Sequence, residues 1–388
     1  MVMRVDLDQA ATTPLRAEVR AALFDALDAG WGNPSAAHAD GRRARAALDE
    51  TIERVAGVFG VRSEDVVLTS GGTEADDLAI RGLAGVSGVA SPLALCSAAE
   101  HHAVLRTVET LGGVVVAVEP STGTIDLDHL ERELNSIGAR AALVSVMAAN
   151  NETGAISDLA AVRGVLHRAA PACVLHTDAV QAPRWIELDP GGPIGTADAI
   201  SVSGHKIGAP VGIGALVLRR VRPRATMPGG GQQDGRRGGT ENAALGAAFA
   251  TALDLAVGER MHVVAGTARR RDRLVAGIVD GLGGRCVLTL AGGAHVLPGH
   301  AHLRFGSGVE SEALLALLDR AGIAASAGSA CASGAMEPSH VLLAMGVAPD
   351  EALSSLRLTL GPTTTDDDIE AAINAVVTAV LRLRGWRP

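Results

Sequence analysis

The sequence predicts an α/β protein with a mostly parallel sheet in a large domain and a smaller α+β domain after it. Short aliphatic runs alternate with amphipathic helical segments through the first two thirds of the chain. A long helical pattern begins near residue 239, and mixed strands and helices follow it. Strands that alternate with helices favour a parallel sheet, because each helix carries the chain back to start another strand in the same direction.

Several aliphatic runs in the first two thirds have the length and composition of buried strands. "DVVLTS" precedes the helical "TEADDLAIRGLA", "ALVSVMAA" precedes "DLAAVRGVLHRAA", and "CVLHTDAV" is followed by the strand-like "ADAISVSG". We therefore expect the large domain to span residues 14–258.

The last third predicts a smaller domain in which helices pack on one side of strands. Strand-like "HVLPGHAHLRF" and "SSLRLTL" lie between helical "SEALLALLDRAGI" and "DDDIEAAINAVVTAVLRLR". The start "TTTDDD" resembles a helix N-cap followed by acidic first-turn residues. We expect this domain to comprise residues 1–13 and 259–388 and to carry a loop around Cys331.

The overall charge argues against several classes of partner. The formal net charge of the 388-residue chain is −9, and no basic cluster is dense enough to follow a nucleic-acid backbone. The N-terminus lacks the apolar core of a signal peptide, and no apolar run approaches the length of a membrane span. We expect a soluble cytoplasmic protein that binds neither nucleic acid nor membrane.

Lys206 is the only lysine in a chain with 34 basic residues, so the other basic residues are all arginine. Arginine supplies positive charge but does not deprotonate in a protein, whereas a lysine amine can attack a carbonyl carbon and form a Schiff base. The composition therefore makes Lys206 a candidate for amine chemistry, against the alternative of an ordinary surface lysine.

The four cysteines fall into two kinds of surroundings. Cys96, Cys173 and Cys286 lie in apolar, strand-like runs, where a thiol behaves as a small buried hydrophobe. Cys331 lies among small polar residues in "SAGSACASGAMEPSH", which predicts an exposed loop and a reactive thiol. No C-x-x-C pair is present, so we predict neither a metal site nor a redox dithiol.

Polar residues collect at the predicted ends of buried strands, where ligand sites of α/β sheets form. "HTDAVQ" places Asp178 after one strand, and "AANNETG" places Asn151 after another. "LTSGGTEADD" turns from a strand into a helix whose N-terminal amides could hold a phosphate. Each signal alone is weak, but an amine, a carboxylate, an amide and a phosphate turn together are what pyridoxal 5′-phosphate requires.

The chain resembles the group I cysteine desulfurases of the class V aminotransferase family along nearly its whole length. The resemblance rests on ten blocks in chain order: "LDQAATTP", "GNPSAAH", "TSGGTEADDLAI", "EHHAV", "SVMAANNETGAI", "HTDAVQ", "SVSGHKIGAPVGIGAL", "GGGQQDGRRGGTEN", "GSACASGAMEPSHVL" and "SLRLTLG". It implies the fold type I of pyridoxal-phosphate enzymes and a homodimer with active sites near the subunit interface.

The resemblance also implies a role for each matching residue. Lys206 would form the Schiff base with the cofactor, Asp178 would pair with the pyridinium nitrogen, and His101 would stack on the ring and move protons. The ring hydroxyl would be bound by Asn151 and Gln181, the phosphate by Gly72, Thr73, Ser203, His205 and, from the neighbouring subunit, Thr240, and the substrate carboxylate by Arg357 and Asn33.

The activity implied by the resemblance is the conversion of L-cysteine to L-alanine, with the sulfur left as a persulfide on Cys331. The sulfur would then pass to an acceptor protein, such as an iron–sulfur cluster assembly scaffold or a tRNA-thiolation protein. A selenocysteine lyase, another C–S lyase or an aminotransferase would share Lys206 and Asp178 without needing Cys331. A non-enzymatic sulfur-trafficking scaffold and a nucleotide-dependent oxidoreductase are further alternatives, and the latter leaves Lys206 unexplained.

Overall fold

A seven-stranded sheet forms the centre of the large domain in a computed structural model, which describes residues 4–29, 32–291, 294–328 and 337–385. The strand order is β2-β8-β7-β6-β5-β3-β4, and only β8 runs antiparallel to its neighbours. The strands are β2 (Val66–Thr69), β3 (Leu93–Ser97), β4 (Val114–Val116), β5 (Ala141–Ser145), β6 (Val174–Asp178), β7 (Ala199–Ser203) and β8 (Gly214–Leu218). A two-residue strand, β1 (Val5–Asp6), precedes them in the chain.

Helices cover both faces of this sheet, which explains why its central strands read as continuous aliphatic runs. Every residue of β2, β5, β7 and β8 is buried. The helices are α1 (Ala17–Asp28), α2 (Ala39–Phe59), α3 (Gly72–Ala84), α4 (His102–Thr110), α5 (Leu127–Ile137) and α6 (Leu159–Ala169).

A second core belongs to the C-terminal third of the chain. A three-stranded antiparallel sheet has the order β12-β10-β9, and β1 pairs with β11 in parallel. The elements are α7 (Ala243–Gly281), β9 (Val287–Leu288), β10 (His300–Arg304), α8 (Ser311–Arg320), β11 (Ile323–Ala324), α9 (His340–Ala344), α10 (Pro349–Ala352), β12 (Ser355–Thr359) and α11 (Asp366–Leu383).

The long helix α7 connects the two cores. Phe249 and Leu253 in its first half pack in the core of the large sheet, and Leu274 and Ile278 near its end pack in the second core. The predicted domain boundary at residue 258 falls inside this continuous helix, so that boundary stays a prediction.

The predicted fold class is confirmed, with a mainly parallel sheet in the large domain and strands flanked by helices in the second. The N-cap predicted at the start of the last helix is also present, as a capping box in which Thr365 and Asp368 satisfy each other's backbone amides. Among the described helices, none has the length and apolarity needed to cross a membrane.

Candidate active site

A cavity of about 520 Å³ opens where the carboxyl ends of β5, β6 and β7 meet the N-terminus of α3. This is the position at which parallel sheets bind ligands, because the loops that follow neighbouring strands converge there. Ten of the predicted site residues line it: Gly72, Thr73, His101, Asn151, Asp178, Gln181, Ser203, His205, Lys206 and Arg357.

Lys206 lies in the connection between β7 and β8, at the end of a short 3₁₀ turn. Its Nζ donates hydrogen bonds to the carbonyl oxygens of Ala10 and Ala11, both at 2.8 Å. Thr13 holds the same loop, since its hydroxyl donates to the carbonyl oxygen of Lys206 at 2.8 Å. The N-terminal segment therefore fixes the only lysine of the chain inside the cavity.

The surroundings of Lys206 make its amine easier to deprotonate. Burial and the nearby charge of Arg357 lower the pKa of Lys206 to about 8, although Asp178 and Asp8 act in the opposite direction. An amine with this pKa has a substantial neutral fraction near neutral pH, and only the neutral form attacks a carbonyl carbon.

Asp178 is the last residue of β6 and is 6% exposed. Its Oδ1 accepts a hydrogen bond from the Val180 amide at 2.9 Å. Burial raises its pKa, while His101, the Val180 amide and Lys206 act to lower it. A carboxylate held at this depth, with cationic groups nearby, is suited to pair with a protonated ring nitrogen.

A second carboxyl, that of Asp76 on α3, lines the same cavity and was not singled out from the sequence. Burial is the main reason that the pKa of Asp76 is well above its usual range, and repulsion from Asp178 is the second. Its Oδ1 lies 3.6 Å from Nε2 of His176, but burial lowers the pKa of that histidine to about 3. The raised pKa of Asp76 and the lowered pKa of His176 both favour the neutral forms of the two side chains, which weakens their contact as an ion pair.

Two amides lie at the cavity wall near Lys206. Gln181 donates from Nε2 to the carbonyl oxygen of Ala10 at 3.0 Å, the same oxygen that accepts from Lys206. Asn151 accepts at its main-chain oxygen from Nη1 of Arg357 at 3.0 Å. Both predicted ligands of the ring hydroxyl are thus held by backbone contacts on the cavity wall.

The N-terminus of α3 forms one end of the cavity. The turn before it depends on two glycines, because Gly71 has φ +155° and a Cβ on Gly72 would lie 2.6 Å from a methyl carbon of Val180. Thr73 lies on the first turn of this helix, and Ser203 and His205 come from the adjacent β7 end. Free amides at a helix N-terminus with hydroxyl donors beside them suit a phosphate.

His101 is the N-cap of α4, and its Nδ1 accepts a hydrogen bond from the Ala103 amide at 3.1 Å. It lines the cavity, and its charge acts on Asp178. The stacking and proton-transfer role of His101 stays a prediction.

Arg357 is the middle residue of β12 and is 5% exposed. Its Nη2 lies 2.6 Å from Oδ1 of Asp8. A buried guanidinium needs anionic or carbonyl partners, and Asp8 and the Asn151 carbonyl supply them here. Asp8 belongs to the "LDQAATTP" block, but its pairing with Arg357 was not predicted because 349 positions separate the two.

Three predicted residues are not part of the described cavity wall. Asn33 is exposed, with its Oδ1 accepting from the Ser35 amide at 2.9 Å, and Thr240 is exposed as well. Cys331 lies outside the described residues. The roles predicted for these three residues stay predictions.

The donor set of the cavity fits pyridoxal 5′-phosphate. The cavity is lined by an amine of lowered pKa, a buried carboxylate, two amides and a helix N-terminus. Gly72 at that N-terminus leaves space that a Cβ would occupy. The cofactor needs these four kinds of group for its aldehyde, ring nitrogen, ring hydroxyl and phosphate.

Comparison with known proteins agrees with this chemistry. The aminotransferase class-V family model matches residues 5–372. An IscS-like cysteine desulfurase of Mycobacterium tuberculosis is 40% identical over 97% of this chain and 96% of its own length. The cysteine desulfurase IscS of Dictyoglomus turgidum is 34% identical over 100% of this chain and 97% of its own length.

Solved structures give the same result for the fold. The X-ray structure of a NifS-like protein from Rickettsia africae has a TM-score of 0.85 at 28% identity and covers 97% of this chain and 99% of its own. DndA from Streptomyces lividans has a TM-score of 0.73 at 31% identity over 89% of this chain and 96% of its own. From its family match, its relatives and its active-site cavity, the chain belongs to the class V aminotransferase family, as a pyridoxal 5′-phosphate-dependent cysteine desulfurase.

Proposed function

We propose that Lys206 and Cys331 are the two reactive side chains of the desulfurase. Lys206 holds the cofactor and moves the substrate α-proton, and Cys331 accepts the sulfur. The single observation that supports this most is the placement of the only lysine inside a cavity shared with Asp178 and the phosphate turn. Any other basic position in the chain is an arginine, which cannot form the covalent link.

The cavity residues bind and orient the cofactor in this proposal. Asp178 keeps the ring nitrogen protonated, and Asn151 and Gln181 hold the ring hydroxyl. The phosphate is bound at the N-terminus of α3, with Gly72, Thr73, Ser203 and His205 as its ligands. When bound, pyridoxal 5′-phosphate supplies a ring that accepts the electron pair released at the substrate α-carbon.

The proton transfer falls to Lys206 and His101. Lys206 would hold the cofactor through Nζ and, whenever its amine is released, would act as a base toward the substrate. Because its pKa is lowered to about 8, Nζ can then remove the α-proton near neutral pH. His101 faces the same space and can exchange protons with the substrate thiol.

The sulfur step transfers one atom between two thiols. The Cys331 thiolate attacks the substrate sulfur, a new S–S bond forms, and the substrate C–S bond breaks. The electron pair of that bond stays with the substrate carbon, which takes up a proton. The balance is L-cysteine plus the Cys331 thiol giving L-alanine plus a Cys331 persulfide, with no external oxidant or reductant.

Substrate binding and assembly complete the proposal. Arg357 binds the substrate carboxylate, which would compete with Asp8 for the guanidinium, and Asn33 assists. The protein acts as a homodimer in which Thr240 binds the phosphate of the cofactor held by the neighbouring subunit. The location of Thr240 outside the cavity of its own chain is compatible with that arrangement.

The persulfide would pass to an acceptor protein, such as an iron–sulfur scaffold or a tRNA-thiolation protein. We place the enzyme in the cytoplasm, because its chemistry requires a free thiol and the three described cysteines are unpaired.

Intact-mass spectrometry of the protein after brief exposure to L-cysteine tests the proposal. We expect one added sulfur atom that maps to Cys331 and is absent from the Cys331→Ala variant. An adduct on Cys96, Cys173 or Cys286 would contradict the assignment. If Cys331→Ala still releases sulfide from cysteine at the parental rate, the protein is a C–S lyase or selenocysteine lyase instead.

A further inference from the structure

We infer that Glu152 is a positioning residue for the sulfur-transfer step. Its buried carboxylate accepts a hydrogen bond from Ser339, which follows Cys331 in the chain, and lies close to Gly328, which precedes it. This inference rests on the proposed role of Cys331 as sulfur acceptor. Glu152 follows Asn151 directly in the chain and was not among the predicted site residues.

Glu152 itself is held rigidly. The side-chain oxygen of Asn150 accepts hydrogen bonds from the amides of Glu152 at 2.9 Å and Thr153 at 2.8 Å. Nδ2 of Asn150 donates to the carbonyl oxygen of Ala99 at 2.9 Å, which anchors the turn to the end of β3. Glu152 is 4% exposed and lines the cavity. A turn fixed in this way presents the carboxylate in one place.

The C-terminal end of the Cys331 segment is tied to this carboxylate. The hydroxyl of Ser339, which is 2% exposed, donates to Oε2 of Glu152 at 2.5 Å. The same hydroxyl accepts from the Leu342 amide at 3.2 Å and caps α9. The next residue, His340, is held by a hydrogen bond between its Nε2 and the carbonyl oxygen of Glu100 at 2.9 Å.

The N-terminal end approaches the same oxygen. A Cβ on Gly328 would lie 2.8 Å from Oε2 of Glu152, and Gly328 has φ +85°. Ser326, two residues earlier, forms a backbone bridge with Arg357 in which the Arg357 amide donates at 2.6 Å. Only glycine permits this close approach, since any side chain would contact the carboxylate.

The short chain between Gly328 and Cys331 limits the distance between these two residues. Cys331 is three residues from Gly328 and eight from Ser339. Three residues reach at most roughly 11 Å. Gly328 lines the cavity, so only three residues of chain join the proposed sulfur acceptor to the cavity wall. Losing the Glu152 carboxylate removes the hydrogen bond from Ser339 and the group that lies beside Gly328, so we expect productive encounters of the thiol with the substrate sulfur to become rarer.

The test compares two rates. If Glu152 served only to stabilise the fold, its substitution would slow both rates equally. One is the change in cofactor absorbance when L-cysteine is added, which reports substrate binding to the cofactor. The other is the appearance of the Cys331 persulfide by rapid quench and mass spectrometry. We expect Glu152→Ala to leave the first rate within about twofold and to lower the second by about tenfold or more.

Two further variants isolate the contact with Ser339. Glu152→Gln keeps an oxygen that can accept from Ser339, so it should retain more persulfide formation than Glu152→Ala. Ser339→Ala should slow the same step, and the double variant should be no slower than Glu152→Ala alone, because both changes remove one contact. Glu312→Ala, an exposed site on α8, serves as the matched control and should change neither rate.

Two results with the Glu152 and Ser339 variants would contradict the positioning role. Equal slowing of both rates by Glu152→Ala, or persulfide formation at the parental rate in both Glu152→Ala and Ser339→Ala, would overturn the positioning role. If Glu152→Ala does not fold, Ser339→Ala measures the same contact with the carboxylate in place. A parental enzyme that forms no persulfide on Cys331 would overturn the proposed function itself, which is a different outcome.

Discussion

The buried guanidinium of Arg357 forms an ion pair with the partly exposed carboxylate of Asp8, with Nη2 2.6 Å from Oδ1. The pair joins β12 of the second core to the N-terminal segment, whose carbonyl oxygens at Ala10 and Ala11 also hold Lys206. The proposed substrate anchor and the proposed catalytic amine therefore depend on one short stretch of chain.

This pairing predicts how substrate binding responds to substitution of Arg357. Arg357→Lys keeps the charge but loses the forked donor geometry, so we expect kcat/KM for L-cysteine to fall by about 10- to 100-fold, mainly through KM. Steady-state alanine production measures this. Arg273→Lys, at an exposed ion pair on α7, is the matched control and should leave KM unchanged. An unchanged KM in Arg357→Lys would show that the carboxylate binds elsewhere.

The amine of Lys206 should titrate below an ordinary lysine in the cofactor-free protein. Its pKa is lowered to about 8, chiefly by burial, and acylation requires the neutral amine. Acetylation of Lys206 should therefore rise with pH through a midpoint near 8, as followed by peptide mass spectrometry. The same protein unfolded in guanidinium should show a midpoint near about 10.4. A native midpoint equal to the unfolded one would contradict the effect of burial.

Asp76 should make the cofactor-free protein less stable as pH rises. A carboxyl whose pKa is raised in the folded state stabilises folding below its unfolded pKa, and this contribution is lost as pH rises toward the folded value. Oδ1 of Asp76 also has no hydrogen-bond partner among the described residues. Asp76→Asn should thus increase the free energy of unfolding at pH 7 by about 1–3 kcal/mol, with a smaller gain near pH 4.

Denaturant unfolding at the two pH values measures this difference. Asp77→Asn, at a half-buried ion pair with Arg81 on the same helix, is the matched control and should change stability by less than about 1 kcal/mol. A loss of stability in Asp76→Asn at pH 7 would mean that Asp76 is ionised and paired in the folded protein.

The cysteines should differ in their reaction with an alkylating reagent. Burial raises the pKa of Cys96, Cys173 and Cys286, that of Cys173 to about 12, so these thiols are protonated and shielded. We expect iodoacetamide to modify Cys331 alone in the native protein and all four thiols after unfolding. Peptide mapping measures the sites, and native labelling of a buried cysteine before Cys331 would contradict this order.

Much of the cavity could be predicted because its residues follow strand ends. Asp178 and Ser203 are the last residues of adjacent strands, and the carboxyl ends of parallel strands meet at one edge of a sheet. The single lysine stood out because arginine occupies every other basic position. These signals are local in the sequence, and the resemblance to a known family assigned the individual roles.

The contacts that could not be predicted depend on tertiary structure. The carbonyl oxygens of Ala10 and Ala11 hold Lys206 across nearly two hundred positions, and backbone groups leave no trace in residue identity. Asp76 resembles an ordinary polar helix residue in the sequence, and only packing removes it from water. Glu152 and Ser339 are 187 positions apart, so the contact on which the proposed role of Glu152 depends forms only in the folded chain.

The covalent attachment of the cofactor is the central claim, and borohydride reduction of the purified enzyme tests it most directly. Reduction should lock a pyridoxyl group onto one peptide, and fragmentation should place it on Lys206. Lys206→Arg should carry no such group and should not turn over L-cysteine. A pyridoxyl group on any other position, or parental turnover by Lys206→Arg, would contradict the account.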